Sequence, residues 1–86
     1  MSYFVYILKC ADNTLYAGST KDIKKRMYEH NNLKSGAHYT KIRRPVVLKY
    51  SEIVSDFATA RAREAEFKRW TRAEKLAFLR KAKAVK

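Results

Sequence analysis

VYILKCADNTLYAGS, residues Val5 to Ser19, is the stretch on which the reading of the chain turns. Two short apolar runs, each holding a tyrosine, flank a polar turn, and the second run ends in Ala17-Gly18. From Phe4 to Lys9 nearly every residue is apolar, β-branched or aromatic, which predicts a strand covered on both faces and therefore central in its sheet. Leu15 to Gly18 predicts its shorter partner. Between them, "ADN" suits a three-residue hairpin loop with Asn13 in the left-handed conformation that Asn tolerates. The parity of this loop matters, because side chains alternate across a strand. An odd loop, pairing Cys10 with Thr14, puts Tyr6 and Tyr16 on one face; a two-residue loop puts them on opposite faces. On one face they read either as core filling or as two phenols aimed at a reacting group.

The 86 residues bound the chain to one domain, 1–86, with a single modest core. With 20 Lys+Arg against 8 Asp+Glu the net charge is +12, and a polyanion is the natural partner. No apolar run approaches the ~20 residues of a membrane span, and no basic amphipathic segment stands apart from the body, so a membrane is not the polyanion expected. "MSYFVYILKC" lacks a basic lead and a cleavage site, which predicts a strand, not a signal peptide, and a cytoplasmic location. Cys10 is alone, and with His30 and His38 it falls short of a four-ligand zinc site. It reads as a small hydrophobe at a strand end.

Beyond the hairpin, "DIKKRMYEHNN" predicts a helix capped by Thr20 or Asp22. "LKSGAHYTKIRRP" reads as a loop carrying Lys34, His38, Lys41, Arg43 and Arg44. "VVLKYSEI" predicts a third strand begun by Pro45. "SDFATARAREAEFKRW" predicts a second helix capped by Ser55 or Asp56. "TRAEKLAFLRKA" predicts a third, opened by a capping box from Thr71 to Glu74. Residues 81–86 read as a frayed basic tail. Together these elements predict an α/β (α+β) domain, a three-stranded antiparallel sheet with its first strand central and helices packed against it.

Two of the predicted helices carry polar residues where an ordinary helix is apolar. The body-facing stripe of the first is Ile23, Arg26, Met27 and His30, although burying an unpaired guanidinium is expensive. Either Arg26 lies at the stripe's edge with its head in water and His30 is a hydrogen-bonded core residue, or both belong to a site. The stripe of the second, Phe57, Ala60, Glu64 and Phe67, is interrupted by Glu64. The other acids have plainer places: Asp12 in the turn, Asp22 and Asp56 at helix starts, Glu74 in the capping box, Glu29 and Glu52 in solvent, Glu66 on the far side. Glu64 is left as the carboxylate a site would use, or else as a surface acid paired with Arg61 or Lys68.

Taken in order, these residues resemble the GIY-YIG nuclease family. Its two motifs correspond to Val5-Tyr6-Ile7 and Tyr16-Ala17-Gly18, followed by Arg26 and His30 in "RMYEH" and Glu64 in "REAEFKRW". "GAHYTKIRRPV" and "REAEFKRWTRAEKLAFL" are similar to the small stand-alone bacterial, UPF0213-like branch. Val5 stands where the first motif has Gly, and Ala17 where the second has Ile. Ser19 stands where nucleotide-excision-repair relatives carry Lys, and Leu76 where some members carry Asn.

The resemblance implies hydrolysis of DNA phosphodiester bonds by an endonuclease, weakly sequence-selective or structure-selective, in DNA repair or processing. It implies one divalent cation, Mg²⁺ or Mn²⁺, on Glu64, since Mg²⁺ is commonly held by one or two carboxylates with water and substrate phosphate. Arg26 would clamp phosphate oxygens, Tyr6 and Tyr16 would contact or deprotonate the attacking water, and His30 would transfer a proton or touch phosphate. A phenol is a poor base at neutral pH, so the cation and Arg26 would have to favour its phenolate. Lys24, Lys25, Lys34, Lys41, Arg43 and Arg44 are the candidate contacts to backbone phosphates, which give affinity without sequence reading. DNA is expected ahead of RNA, with a protein partner selecting the target. The alternative is a nucleic-acid-binding module that keeps the fold and does not turn over.

Overall fold

Cys10 donates its N–H to the Thr14 carbonyl at 2.9 Å, closing the hairpin around Ala11, Asp12 and Asn13. The computed structural model of the chain describes residues 2–32 and 43–84, and in it Asn13 takes the left-handed conformation, φ 68°. Asp12 braces the turn by accepting from the Thr14 hydroxyl at 2.6 Å and the Thr14 N–H at 3.1 Å. The loop is odd, and the parity argument holds. Strands β1 (Tyr3–Lys9) and β2 (Leu15–Thr20) pair antiparallel with Tyr6 opposite Gly18 and Leu8 opposite Tyr16, so both tyrosines face the same way.

Strand β3 (Val47–Val54) pairs antiparallel with the other side of β1, giving the order β2-β1-β3. As the apolar run foretold, β1 is central: Val5, Ile7 and Leu8 have no exposed surface. One face holds Tyr6, Leu8, Cys10 and Val46, covered by Ile23 and Met27 of helix α1 (Ile23–Asn32). The opposite face holds Val5, Ile7, Leu15 and Ala17, covered by Ala60 and Phe67 of helix α2 (Phe57–Arg69). Helix α3 (Arg72–Ala84) adds Leu76, Phe78 and Leu79 to that second core. Phe67 is fully buried, and a side chain of its kind contributes about 1.5–3 kcal/mol by leaving water. Trp70 packs between Phe67 and Phe78, with ring centres 4.9 and 5.0 Å away.

The helix starts follow their capping chemistry. Asp22 accepts from Lys25 N–H at 3.1 Å, and Asp56 accepts from Thr59 N–H at 2.7 Å, which decides both pairs of alternatives for Asp. Thr71 and Glu74 form the reciprocal capping box, at 2.7 and 3.1 Å. The bounds of α3 extend to Ala84, into the stretch 81–86 that reads as a basic tail.

Three placements differ from the sequence reading. Phe57, on the expected apolar stripe, is 58% exposed: it is the first residue of α2, and it packs against Tyr3, ring centres 5.7 Å apart. Glu29 and Glu52 are not solvated acids. Glu29 pairs with Arg26 at 3.0 Å. Glu52 takes the Arg63 guanidinium at 2.9 Å and the Tyr50 hydroxyl at 2.7 Å. Arg63 also pairs with Glu66 at 2.9 Å and lies 4.4 Å over the Phe67 ring, so it is packed into the second core as much as it is paired.

Candidate active site

Tyr6 lies flat over β2 because the residue across from it has no side chain. A Cβ at Gly18 would sit 2.5 Å from the Tyr6 hydroxyl oxygen and 2.7 Å from the ring carbon that bears it, closer than such atoms approach. The glycine of the second motif therefore makes room for the tyrosine of the first. The Tyr6 hydroxyl is held by His30 Nε2 at 2.9 Å and lies within hydrogen-bonding reach of Arg26. A guanidinium can only donate, so the phenol hydrogen is free to point at Nε2. His30 also meets Tyr16 edge-on, ring centres 5.6 Å apart.

This cluster is dry. Tyr6 is 1% exposed and His30 has no exposed surface. Burial pushes the Tyr6 phenol up to about 12, against the pull of the Arg26 hydrogen bond. Burial, with the Arg26 charge added, pushes His30 down to about 4. At neutral pH the pair is a neutral phenol beside a neutral imidazole. In the chain alone desolvation outweighs the Arg26 hydrogen bond at Tyr6, and a phenolate there would need the charge of a divalent cation together with that of Arg26.

Glu64 comes from the helix on the opposite face of the sheet and reaches β2, an outer strand of the described sheet, at Ser19. Its Oε1 accepts from the Ser19 hydroxyl at 2.6 Å, and its Oε2 pairs with Lys68 at 2.8 Å. The Lys68 ammonium in turn lies 5.8 Å from the centre of the Tyr16 ring. Burial would raise the Glu64 carboxyl, but Lys68 and Ser19 outweigh it and hold the group below its usual range. Its charge is felt at Tyr6. Tyr6, Tyr16, Arg26, His30 and Glu64 are therefore linked through named contacts; Tyr6 and His30 are buried, and Tyr16, Arg26 and Glu64 are half-buried.

The candidate phosphate contacts fare unevenly. Lys24 and Lys25 are exposed on α1. Arg43 pairs with Asp12 at 3.0 Å, and Arg44 donates to the carbonyls of His30 and Glu29, capping the end of α1. Lys34 and Lys41, with His38 and Tyr39, lie outside the described residues. Two contributors were missed in the sequence. Gly18 has a signal there, an aromatic directly opposite a glycine in the odd-loop register. Ser19 stands out in the sequence only as a departure from relatives, and nothing in the strand pattern shows that it would hold Glu64.

Among the described residues no group of three or more His, Cys, Asp or Glu side chains gathers as a metal cage. A single hydrated ion asks for only one or two protein carboxylates, a requirement that Glu64 could meet.

A family profile described as the GIY-YIG catalytic domain matches residues 2–77. A UPF0213 protein of Syntrophus aciditrophicus is 51% identical over 77 residues, 90% of this chain and 88% of the relative. UPF0213 protein SERP0126 of Staphylococcus epidermidis is 51% identical over 90% of this chain and 93% of its own. Among solved structures, protein EF2693 from E. faecalis is 35% identical, covering 98% of this chain and 88% of that one, with a TM-score of 0.66. UPF0213 protein BH0048 from Bacillus halodurans is 33% identical over 92% and 83%, with a TM-score of 0.59. The chain belongs to the GIY-YIG family. Its domain has a nuclease fold, the domain suggests a nucleic-acid substrate, and GIY-YIG nucleases generally use a divalent metal. No helix among the described residues is long and apolar enough to cross a membrane.

Proposed function

We propose that the protein is a Mg²⁺-dependent endonuclease that hydrolyses DNA phosphodiester bonds with structure selectivity or weak sequence selectivity, in DNA repair or processing. The observation that carries this reading is the linkage of Tyr6, His30, Arg26, Tyr16 and Glu64 around the edge of β2. Functional groups with displaced pKa values cluster at catalytic sites, and this buried phenol and imidazole beside a guanidinium form such a cluster.

In this reading Arg26, half-buried and braced by Glu29 at 3.0 Å, meets the non-bridging oxygens of the scissile phosphate. Tyr16 is the phenol nearer the surface and orients the phosphate and the attacking water. Tyr6 lies one layer in. A proton arriving on its oxygen is matched by passage of its own proton to His30 Nε2, so that no free phenolate is required. Burial is the main cause of the depressed His30 value and the Arg26 charge adds to it; the negative charge of a bound phosphate beside Arg26 offsets the second and so raises the proton affinity of His30. Glu64 is the ligand for Mg²⁺ or Mn²⁺, which when bound supplies Lewis acidity at the phosphate and charge for the leaving oxygen. Lys24 and Lys25, with the basic residues 34 and 41, contact flanking phosphates, and a partner protein selects the target. Action in the cytoplasm belongs to the same reading.

A second reading, a nucleic-acid-binding module without turnover, is favoured by one observation: both Glu64 oxygens are already engaged. The two separate on labelled single-stranded, duplex, nicked, flapped and branched DNA incubated with Mg²⁺ or EDTA, beside Glu64→Ala. Mg²⁺-dependent cutting that disappears in the variant supports the enzyme. Binding to the same substrates with no cutting under Mg²⁺ or Mn²⁺ supports the module.

A further inference from the structure

The carboxylate assigned to the metal carries a cation of its own. Ser19 takes Glu64 Oε1 at 2.6 Å, and Lys68 sits at Oε2 at 2.8 Å, so each oxygen already has a donor. An ammonium and a hydrated divalent ion repel, so the Lys68 charge opposes binding of such an ion to the same carboxylate. The two partners differ in freedom: the Lys68 side chain is 50% exposed and that of Glu64 is 13% exposed. The cation can swing into water while the carboxylate stays. The chemistry of the pair points the same way, since among the described residues the other ion pairs are made by Arg26, Arg43 and Arg63. A guanidinium is a rigid fork that fixes geometry, whereas an ammonium is a point charge on a flexible stem.

We propose that Lys68 is the resident cation of Glu64, a positioning residue that neutralises the carboxylate in the free protein and competes with a divalent ion for it. Its purpose rests on the nuclease reading, but its test needs no cleavage. The measurement is Mn²⁺ binding by the chain alone, without nucleic acid, followed by the electron paramagnetic resonance of free Mn²⁺. Wild type is compared with Lys68→Met, Lys68→Arg, Glu64→Gln and the double variant Lys68→Met with Glu64→Gln. Methionine keeps an apolar stem near the Tyr16 ring and removes only the charge.

Lys68→Met is expected to bind Mn²⁺ on the order of tenfold more tightly, the scale of one unit charge acting over a few ångströms at a partly exposed site. Lys68→Arg keeps the charge on a stiffer partner and binds Mn²⁺ no more tightly than wild type. Adding Glu64→Gln removes the gain. No tightening in Lys68→Met, or a gain that survives Glu64→Gln, overturns the proposal. Circular dichroism confirms folding, and Lys68→Gln replaces Lys68→Met, read in the same way, if the latter unfolds. A gain in Mn²⁺ affinity without cleavage of any DNA leaves Lys68 in this role and removes the nuclease reading; Glu64-dependent cleavage with no such gain does the reverse.

Discussion

Gly18 and Tyr6 occupy one space between them, and changing either disturbs the other. In Gly18→Ala the new methyl would lie 2.5 Å from the Tyr6 oxygen, so the ring must move off His30. The expected loss is roughly 1–3 kcal/mol, the usual scale of overpacking, measured by urea denaturation. A midpoint and slope equal to wild type would show that the ring gives way freely. His30 makes a separate claim, about pH. Its folded value of about 4 lies below the ordinary 6.5, so the unfolded chain binds the extra proton first. Stability is therefore full above pH ~6.5 and falls as pH drops toward 4, by on the order of 3 kcal/mol. Arg26 and Arg44 oppose the charged imidazole and Glu29 favours it. His30→Gln should flatten the dependence in that window in pH-resolved melts; an unchanged slope would assign it elsewhere.

At the scale of elements, α1 is tied down at its end by Arg44, which reaches the carbonyls of Glu29 and His30, and by Asn31, whose amide pairs with Val46 in both directions at 2.7 and 3.2 Å. Arg44→Ala should cost about 1–2 kcal/mol, the scale of charge-assisted hydrogen bonds at a half-buried site, and loosen His30 with it. Equal melting temperatures for variant and wild type would rule this out. Arg44 is thus a poor probe of nucleic-acid contact. The sequence shows the charge of Arg44 and not the carbonyls it caps, so a structural role would be mixed with any phosphate contact in its variants. The elements themselves were legible: the apolar run of β1, the odd loop, Asp22 and Asp56 as caps, and the Thr71–Glu74 box are local signals set within a few residues. Arg26 and His30 were legible as polar breaks in an apolar stripe. What stayed hidden is contact between distant positions, such as Ser19 and Glu64, 45 apart in the chain. So did Arg63, whose apolar and acidic partners come from both helices and β3.

For the whole molecule, the net charge of +12 predicts binding that weakens steeply with salt. Lys24 and Lys25 are exposed and outside the described ion pairs, which makes Lys24→Ala with Lys25→Ala the cleaner test of flanking contacts. On duplex, the plot of log affinity against log salt should flatten by about 0.9 for each phosphate that the variant no longer neutralises, equally for unrelated sequences. An unchanged slope would move the binding surface away from α1. The central claim is that Glu64 acts on the reaction and not on the grip. Its most direct test is Glu64→Gln, with single-turnover cleavage and DNA affinity measured on the same branched and nicked substrates in Mg²⁺. The account predicts that cleavage falls by at least ~10²–10³, while affinity is equal or slightly tighter because one negative charge near the phosphates has gone. Cleavage at the wild-type rate in Glu64→Gln would contradict it.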